Sequence, residues 1–487
     1  MTLRFDWYPR FDHPLIESKI VQIVDLIGSD GSQRKTQEET EKSTKQILSA
    51  LYSAYFSFPR GSSAVSVSLT SNHYTQSKYS YRIIKKVFEC LSELHWIEWE
   101  KGSEAGKRIT RMWAAGELSL AFDGIGLVWS HQETKPKDGL IELRQFKNPE
   151  GTTKKERGPK LSMAVPESSL VQDYRDNLFS FNQFLLKHCV SLELDDQNLS
   201  TLAEEIARRS RDKARVWSTE EDERVGSLDF SRVQLRRIFS RGSLEKGGRF
   251  YGGWWQSIPS LYRPHIRIDG KKTIEMDYSS MALRIIYALE GISIAEDDDL
   301  YDIGLDDWRA NEDERRKPIK TFVNAIMNDE SGRFRLSQKD QTLVGISHQE
   351  LLERVLEKHE PIKHQFSTGF GLVAQFIDSS IAEEVMLKMM QEDVLVLPIH
   401  DSFIVRAGYA NWLHEEMKSA FQRILNAGIG VSIEGIKGNS HFQIPMAEVT
   451  SEVISLSSEE AWDAFVEKNN SIMGRYLNSW QRKQMQS

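Results

Sequence analysis

Cysteine is nearly missing from this chain: 487 residues hold two, Cys90 and Cys189, far apart and each in an apolar context. That spacing provides neither a disulfide framework nor a thiolate zinc site, and both read as buried structural thiols. No segment approaches the about 18 consecutive apolar residues of a membrane helix. Met1-Thr2-Leu3-Arg4-Phe5-Asp6 lacks the apolar stretch of a signal peptide. The expectation is a cytoplasmic protein with no membrane partner. No internal repeat is present, which leaves out repeat architectures. Net positive charge is also lacking: the chain carries −8, which argues mildly against a strong nonspecific nucleic-acid binder. That value averages segments of opposite sign. Acidic residues crowd 296–299 and 306–314, whereas 101–160 holds an excess of Lys and Arg. A basic face could therefore track phosphates and lose affinity as salt rises.

What remains is a globular composition, 39% apolar and 28% charged, at a length that suggests two or three domains. Two segments in the C-terminal half carry the chemistry. Glu275-Met276-Asp277-Tyr278-Ser279-Ser280-Met281-Ala282-Leu283-Arg284 places Asp277 where a strand turns into a helix. Leu397-Pro398-Ile399-His400-Asp401-Ser402-Phe403-Ile404-Val405 places Asp401 in a tight hairpin. Asp after a strand is often only a helix N-cap, and His-Asp is an ordinary turn pair. Two such carboxylates on adjacent strands, however, can hold two divalent cations roughly 3.5–4 Å apart and serve an in-line displacement at phosphorus. Between them lies Arg315-Arg316-Lys317-Pro318-Ile319-Lys320, which puts Arg316 and Lys320 on one helix face suited to a triphosphate. Pro318 fits the first turn of that helix.

The order of these segments resembles the palm and fingers of family A DNA polymerases and of the single-subunit, phage-type RNA polymerases, over about residues 240–440. Asp277-Tyr278-Ser279 with Leu283-Arg284 is similar to the first motif of the DNA enzymes, Arg316 and Lys320 to the fingers-helix motif, and His400-Asp401-Ser402 to the last motif of the RNA enzymes. Gly247-Gly248-Arg249 with Gln256-Ser257-Ile258-Pro259 is similar to the segment that contacts the primer-template duplex. Residues 375–386, from Gln375 through Asp378-Ser379-Ser380, resemble the helix before the last motif, and 431–435 the closing palm strand.

The resemblance implies an α+β right-hand polymerase with two Mg²⁺ ions, or Mn²⁺ in their place, held by Asp277, Asp401 and the backbone carbonyl of Tyr278. It further implies a nucleotide site at Arg316, Lys320, Tyr278, Ala282, Asn324 and Asn328, with nucleic-acid contacts at Arg249, Gln256, Gln375 and His400. The partners would be a DNA template or primer-template and nucleoside triphosphates. Three departures stand out. Ala282 occupies the position of a bulky Glu that blocks the ribose 2′-OH in the DNA enzymes. Ser402 replaces their Glu beside the catalytic Asp. Asn324 and Asn328 stand where larger or aromatic side chains face the incoming nucleotide. The spacing between first and last motifs is short and implies reduced fingers. Two alternatives stay open: a primase-like or phage-type RNA polymerase, and a non-catalytic DNA-binding replication initiator with a relic palm.

Upstream, residues 1–45 read as an N-terminal arm, with 29–43 a loop. Periodicity predicts a helix over 46–56, a strand over 64–69 and a helix over 79–94 that buries Ile83, Ile84, Val87, Phe88, Leu91 and Leu94. A β-hairpin is expected around 96–113. The order resembles a winged helix spanning 46–130, with Lys78, Arg82, Lys85 and Lys86 on the recognition helix and Lys107 and Arg108 in the wing, placed for phosphate contact. Residues 131–169 read as a linker or insertion, 170–240 as a helical thumb-like region, 241–445 as palm and fingers, and 446–487 as a helical tail. Trp254-Trp255 between glycines reads either as a base-stacking platform or as core beside a turn. No pattern of acidic residues suggests a proofreading nuclease.

Overall fold

The computed structural model describes residues 2–4, 10–28, 34–57, 64–69, 79–102, 110–125, 132–150, 154–158, 160–215, 228–305, 312–329 and 334–433. Within them the chain is a mixed α and β protein with three sheets and three buried apolar clusters.

The first sheet and cluster belong to the N-terminal part. Strand β1 (Thr2–Arg4) is followed by helices α1 (Pro14–Gly28) and α2 (Arg34–Phe56), then by β2 (Ala64–Val67), α3 (Tyr81–Glu93), β3 (Ile97–Glu100), β4 (Thr110–Ala114) and α4 (Gly116–Ile125). The sheet order is β1-β2-β4-β3, with β3 and β4 an antiparallel hairpin. Residues 14–28 and 34–45 are helical rather than an arm. Ile16, Ile20, Ile23 and Val24 recur at helical spacing and are buried. The Glu, Lys and Gln of 34–46 favour helix intrinsically and extend the expected 46–56 helix toward the N-terminus.

The segment expected as a linker builds a second sheet. Strands β5 (Ile141–Phe146) and β6 (Lys160–Met163) flank the short helix α5 (Lys154–Arg157). They precede α6 (Ser169–Leu185), β7 (Val190–Leu192), α7 (Asp196–Arg215), β8 (Arg236–Phe239) and β9 (Gly247–Tyr251), giving the order β6-β5-β8-β9. Few apolar residues are visible in β5 because Glu142 and Arg144 alternate with the buried Ile141 and Leu143. The carboxylate of Glu142 lies between Arg144, at 2.7 Å, and Arg236, at 3.4 Å, which holds its pKa down at about 2 despite burial. Polar strand residues thus serve ion pairs inside the sheet instead of marking a loop. The expected thumb-like region is likewise not purely helical, since it supplies β7 and β8.

The central sheet collects β10 (Ile266–Ile268), β11 (Lys271–Tyr278), helices α8 (Met281–Leu289), α9 (Glu312–Asn328), α10 (Gln338–Val344), α11 (His348–Lys358) and α12 (Gly371–Gln391), and then β12 (Val396–Ile399), β13 (Ser402–Arg406), α13 (Ala410–Leu425) and β14 (Val431–Ile433). Its order is β12-β13-β11-β10-β7, and β14 pairs with the last residues of β11. Strands β12 and β13 are buried on both faces apart from Arg406, which explains their nearly continuous apolar run. Helices α8, α9 and α11 close a separate cluster around Ile319, Phe322, Val323 and Val355. Pro318 lies inside α9 rather than in its first turn, because the helix already begins at Glu312. The expected tail, 446–487, lies outside the described residues.

Arg237 joins the second sheet to α12. The residue is fully buried, its Nη1 sits 2.6 Å from Glu383 Oε2, its Nε donates to the Gly248 carbonyl at 2.7 Å, and its guanidinium stacks 4.2 Å from the Tyr174 ring centroid. Removing one partner of a buried pair leaves an uncompensated charge and costs roughly 3–5 kcal/mol. Arg237→Met should therefore lower unfolding stability in urea by about 3–5 kcal/mol. The double variant Arg237→Met with Glu383→Leu should recover most of the loss; equal loss in both would assign the effect to packing on Tyr174.

Candidate active site

Antiparallel pairing aligns Asp277 of β11 with Ser402 of β13, and the Tyr278 N–H donates to the Asp401 carbonyl at 3.2 Å. Asp277 and Asp401 therefore stand one rung apart on neighbouring strands, both at the end of the sheet where the chain leaves β11 for α8. The turn between β12 and β13 is only His400 and Asp401, since Ile399 pairs with Ser402. His400 adopts a φ of 58°, and Ser280, just past Asp277, a φ of 52°. Left-handed backbone at a non-glycine residue costs about 1–2 kcal/mol, and such outliers gather where a site imposes them.

Side chains on the same face brace this edge. The Ser402 hydroxyl donates to Glu275 Oε1 at 2.7 Å, and Arg263 donates to the same oxygen at 2.6 Å. Tyr278 turns the other way: its ring is buried and its hydroxyl donates to the Met417 carbonyl at 2.6 Å. The expected nucleotide contact of the Tyr278 side chain is thereby corrected, because strand alternation sends it to the α13 side, and only its backbone faces the edge.

A third carboxylate, within the 375–386 helix, stands near Asp401. Asp378 on α12 is buried and accepts from Arg249 Nε at 2.8 Å. Burial first, then the negative charge of Asp401, push its pKa up to about 6 against the opposing pull of Arg249. Among the described residues no group of three or more His, Cys, Asp or Glu side chains is arranged to hold a metal ion by itself. Two carboxylates and a carbonyl are a donor set of the kind Mg²⁺ uses when phosphate oxygens and water complete its shell.

On α9, Arg316, Lys320, Asn324 and Asn328 follow one another at intervals of four residues and share a face. Arg316 Nε and Nη2 lie 3.2 and 3.3 Å from the Asp299 carboxylate, and its guanidinium sits 5.1 Å from the Tyr301 ring centroid. Lys320 is partly exposed and, among the described residues, pairs with no carboxylate. Asn328 Nδ2 donates to the Asn324 carbonyl at 2.8 Å. The Asn328 side chain also lies against Gly371, the first residue of α12, where a Cβ would meet its Oδ1 at 2.0 Å. That contact fixes the end of α9 on the start of α12.

Tyr301 connects this face to the carboxylates. The residue is buried, its ring lies 5.1 Å from the Arg316 guanidinium, and its ionisation is suppressed by burial foremost while it feels both Arg316 and Asp401. Neither Tyr301 nor Asp299 stands out in the sequence, since Asp299 ends, and Tyr301 follows, an acidic run. Ala282, in the first turn of α8, is partly buried between the central and α9 clusters.

The expected nucleic-acid contacts divide. Arg249 is held by Asp378. Gln256 is corrected to a brace: its Nε2 donates to the Phe250 and Pro398 carbonyls at 2.9 and 3.0 Å, and its Oε1 accepts from Gly252 N–H at 3.0 Å. Gln375 is partly exposed on α12, and the His400 ring meets Tyr251 edge-on at 5.6 Å. Trp254 and Trp255 are buried, with Trp255 donating to the Pro398 carbonyl, so they are core rather than a stacking platform. Lys85 and Lys86 lie on α3 away from its buried Ile83, Ile84, Val87, Phe88 and Leu91, and Lys85 sits 3.6 Å from Glu89. Lys78, Lys107 and Arg108 lie outside the described residues.

No family model matches this chain, and no curated protein matches it. Among solved structures, it is similar to the POL domain of Pol1 from M. smegmatis in complex with DNA primer-template and dNTP, at 13% identity and a TM-score of 0.31, over 53% of this chain and 68% of that one. No described helix is long and apolar enough to cross a membrane.

Proposed function

We propose that the chain is a template-dependent nucleic-acid polymerase that forms phosphodiester bonds from nucleoside triphosphates, with a right-hand palm in the central sheet and reduced fingers in α9. The observation that carries this reading is the placement of Asp277 and Asp401 one rung apart on β11 and the β12–β13 turn, with Tyr301 linking that edge to the cationic face of α9. Asp277, Asp401 and the Tyr278 carbonyl would hold two Mg²⁺, or Mn²⁺. The bound ions would supply charge neutralisation at the reacting phosphate. Lys320 grips the triphosphate and donates a proton to the departing pyrophosphate. Arg316 exchanges Asp299 for phosphate oxygens, a trade of one bidentate acceptor for another. Most of the acceleration comes from alignment of the reactants. In the N-terminal part, α3 and the β3–β4 hairpin act as a winged helix, with Lys85 and Lys86 on duplex phosphates.

Ala282 favours a second form of this reading, in which the enzyme is of the RNA-synthesising or ribonucleotide-tolerant kind. A small side chain between the carboxylate edge and α9 imposes no steric penalty on a 2′-OH, and each roughly 1.4 kcal/mol of lost discrimination is about tenfold in selectivity. Primer extension with separate dNTP and NTP pools tests both forms. Incorporation from NTPs is expected within about a hundredfold of that from dNTPs. Ala282→Glu should depress NTP use far more than dNTP use. Strict dNTP selectivity in wild type, unaltered by Ala282→Glu, would return the reading to a DNA-only polymerase, and no incorporation from either pool would overturn it.

A further inference from the structure

The acidic run at 296–299 has an internal purpose. Arg284 of α8 is buried, and its Nη2 lies 2.9–3.0 Å from the carbonyls of Ala295, Glu296 and Asp298. Burial lowers the pKa of this guanidinium, and the carboxylates of Asp298, Glu296, Asp297 and Asp299 oppose that shift. The run thus supplies the counter-charge of a buried cation while its backbone supplies the hydrogen bonds. A second anchor follows at once. His359 is fully buried, with Nε2 3.0 Å from the Leu300 carbonyl and Nδ1 2.9 Å from the Tyr287 hydroxyl. A carbonyl can only accept, so Nε2 carries the proton and Nδ1 accepts from Tyr287. The neutral ring makes both bonds, and burial pushes its pKa down to about 4. Asp299 therefore stands between two carbonyls, those of Asp298 and Leu300, each fixed by a buried side chain. Its Oδ1 also accepts from the Tyr301 N–H at 3.1 Å.

The contact this carboxylate makes with α9 is loose by comparison. Arg316 meets it through Nε at 3.2 Å and Nη2 at 3.3 Å, longer than the about 2.7–2.9 Å of a tight charge-assisted bond. The two side chains are 36% and 28% exposed, so solvent screens the pair. A triphosphate offers the same guanidinium more negative charge and more acceptor oxygens. Lys320, one turn further along α9, pairs with no carboxylate among the described residues. Of the two cations on this face, only Arg316 is held by one.

We propose that Asp299 is a positioning residue of the nucleotide site: it holds Arg316 until a triphosphate displaces it, and retakes Arg316 when pyrophosphate leaves. The inference rests on the triphosphate role proposed for α9. Because Asp299 and the ligand compete for one guanidinium, the effect falls on nucleotide affinity and not on the chemical step.

Asp299→Asn keeps the shape and an acceptor for the Tyr301 N–H but removes the charge, and Asp299→Ser does the same with less volume. Calorimetric titration of the full chain with inorganic tripolyphosphate in Mg²⁺ should show both variants binding about two- to fivefold tighter than wild type, the range an exposed ion pair is worth. Asp297→Asn removes a charge from the same loop without touching Arg316, and should change the affinity by less than about twofold, since solvent screens a charge out of contact. In an Arg316→Ala background the gain from Asp299→Asn should vanish, because the double-mutant cycle isolates the pair. In primer extension, the nucleotide KM and the pyrophosphate inhibition constant should fall by the same factor as the tripolyphosphate dissociation constant, with kcat not raised. Unaltered or weaker tripolyphosphate binding by both Asp299 variants would overturn the inference. An equal gain from Asp297→Asn, or in the Arg316→Ala background, would overturn it too, since either marks general charge and not the pair. The titration involves no incorporation: a gain that depends on Arg316 without any synthesis would sink the polymerase reading alone, and synthesis with unaltered tripolyphosphate affinity would sink this inference alone.

Discussion

Asp277→Asn or Asp401→Asn should each abolish nucleotide incorporation while leaving the folded chain intact. Asn matches Asp in volume, so the pairing of β11 with β13 has no steric reason to change. Each substitution also removes a negative charge from an edge where Asp378 already carries a pKa raised by burial and by Asp401. For Asp401→Asn stability should hold or rise in a metal-free buffer, because the Asp401 charge opposes ionisation of buried Asp378. Activity should vanish because a neutral amide is a much poorer ligand for a hard divalent cation than a carboxylate. Primer extension gives the first measurement and circular dichroism with urea unfolding the second. Undiminished synthesis by both variants would remove these residues from the active site. Unfolding of either would make its carboxylate structural.

The second large effect is expected at Lys320. Its ammonium is partly exposed on the face that Arg316 begins, and with no carboxylate partner among the described residues its removal breaks no ion pair. Fold stability should therefore change by less than about 0.5 kcal/mol. A cation aimed at charge developing on a leaving pyrophosphate is worth more, on the order of 10²–10³ in rate for one lost donor. Lys320→Ala should lower kcat/KM for the nucleotide by about that factor with DNA affinity nearly unchanged. Arg316→Ala should act more weakly on stability than its ion pair suggests, because Arg316 and Asp299 are both partly exposed and such pairs contribute only about 0–1 kcal/mol. If Lys320→Ala weakens duplex binding and leaves nucleotide kinetics alone, the residue contacts template instead.

By itself the sequence determined the elements that bear the candidate site residues. A strand ending in Asp277, a hairpin tipped by Asp401, and a helix bearing Arg316 and Lys320 at four-residue spacing are all local patterns, written in apolar periodicity and turn residues. The helices over 79–94 and 375–386 and the 96–113 hairpin were legible for the same reason. Tertiary structure decided everything that depends on partners distant in the chain. Residues 131–169 read as a linker because the strand β5 buries its polar residues through ion pairs with Arg236, almost a hundred positions away by sequence. The same holds for Gln256, whose amide bonds the Pro398 carbonyl, and for Tyr278, whose ring is taken by α13. Asp378 and Tyr301 owe their place at the site to burial against Arg249, Arg316 and Asp401, and burial is not a property of any window of sequence.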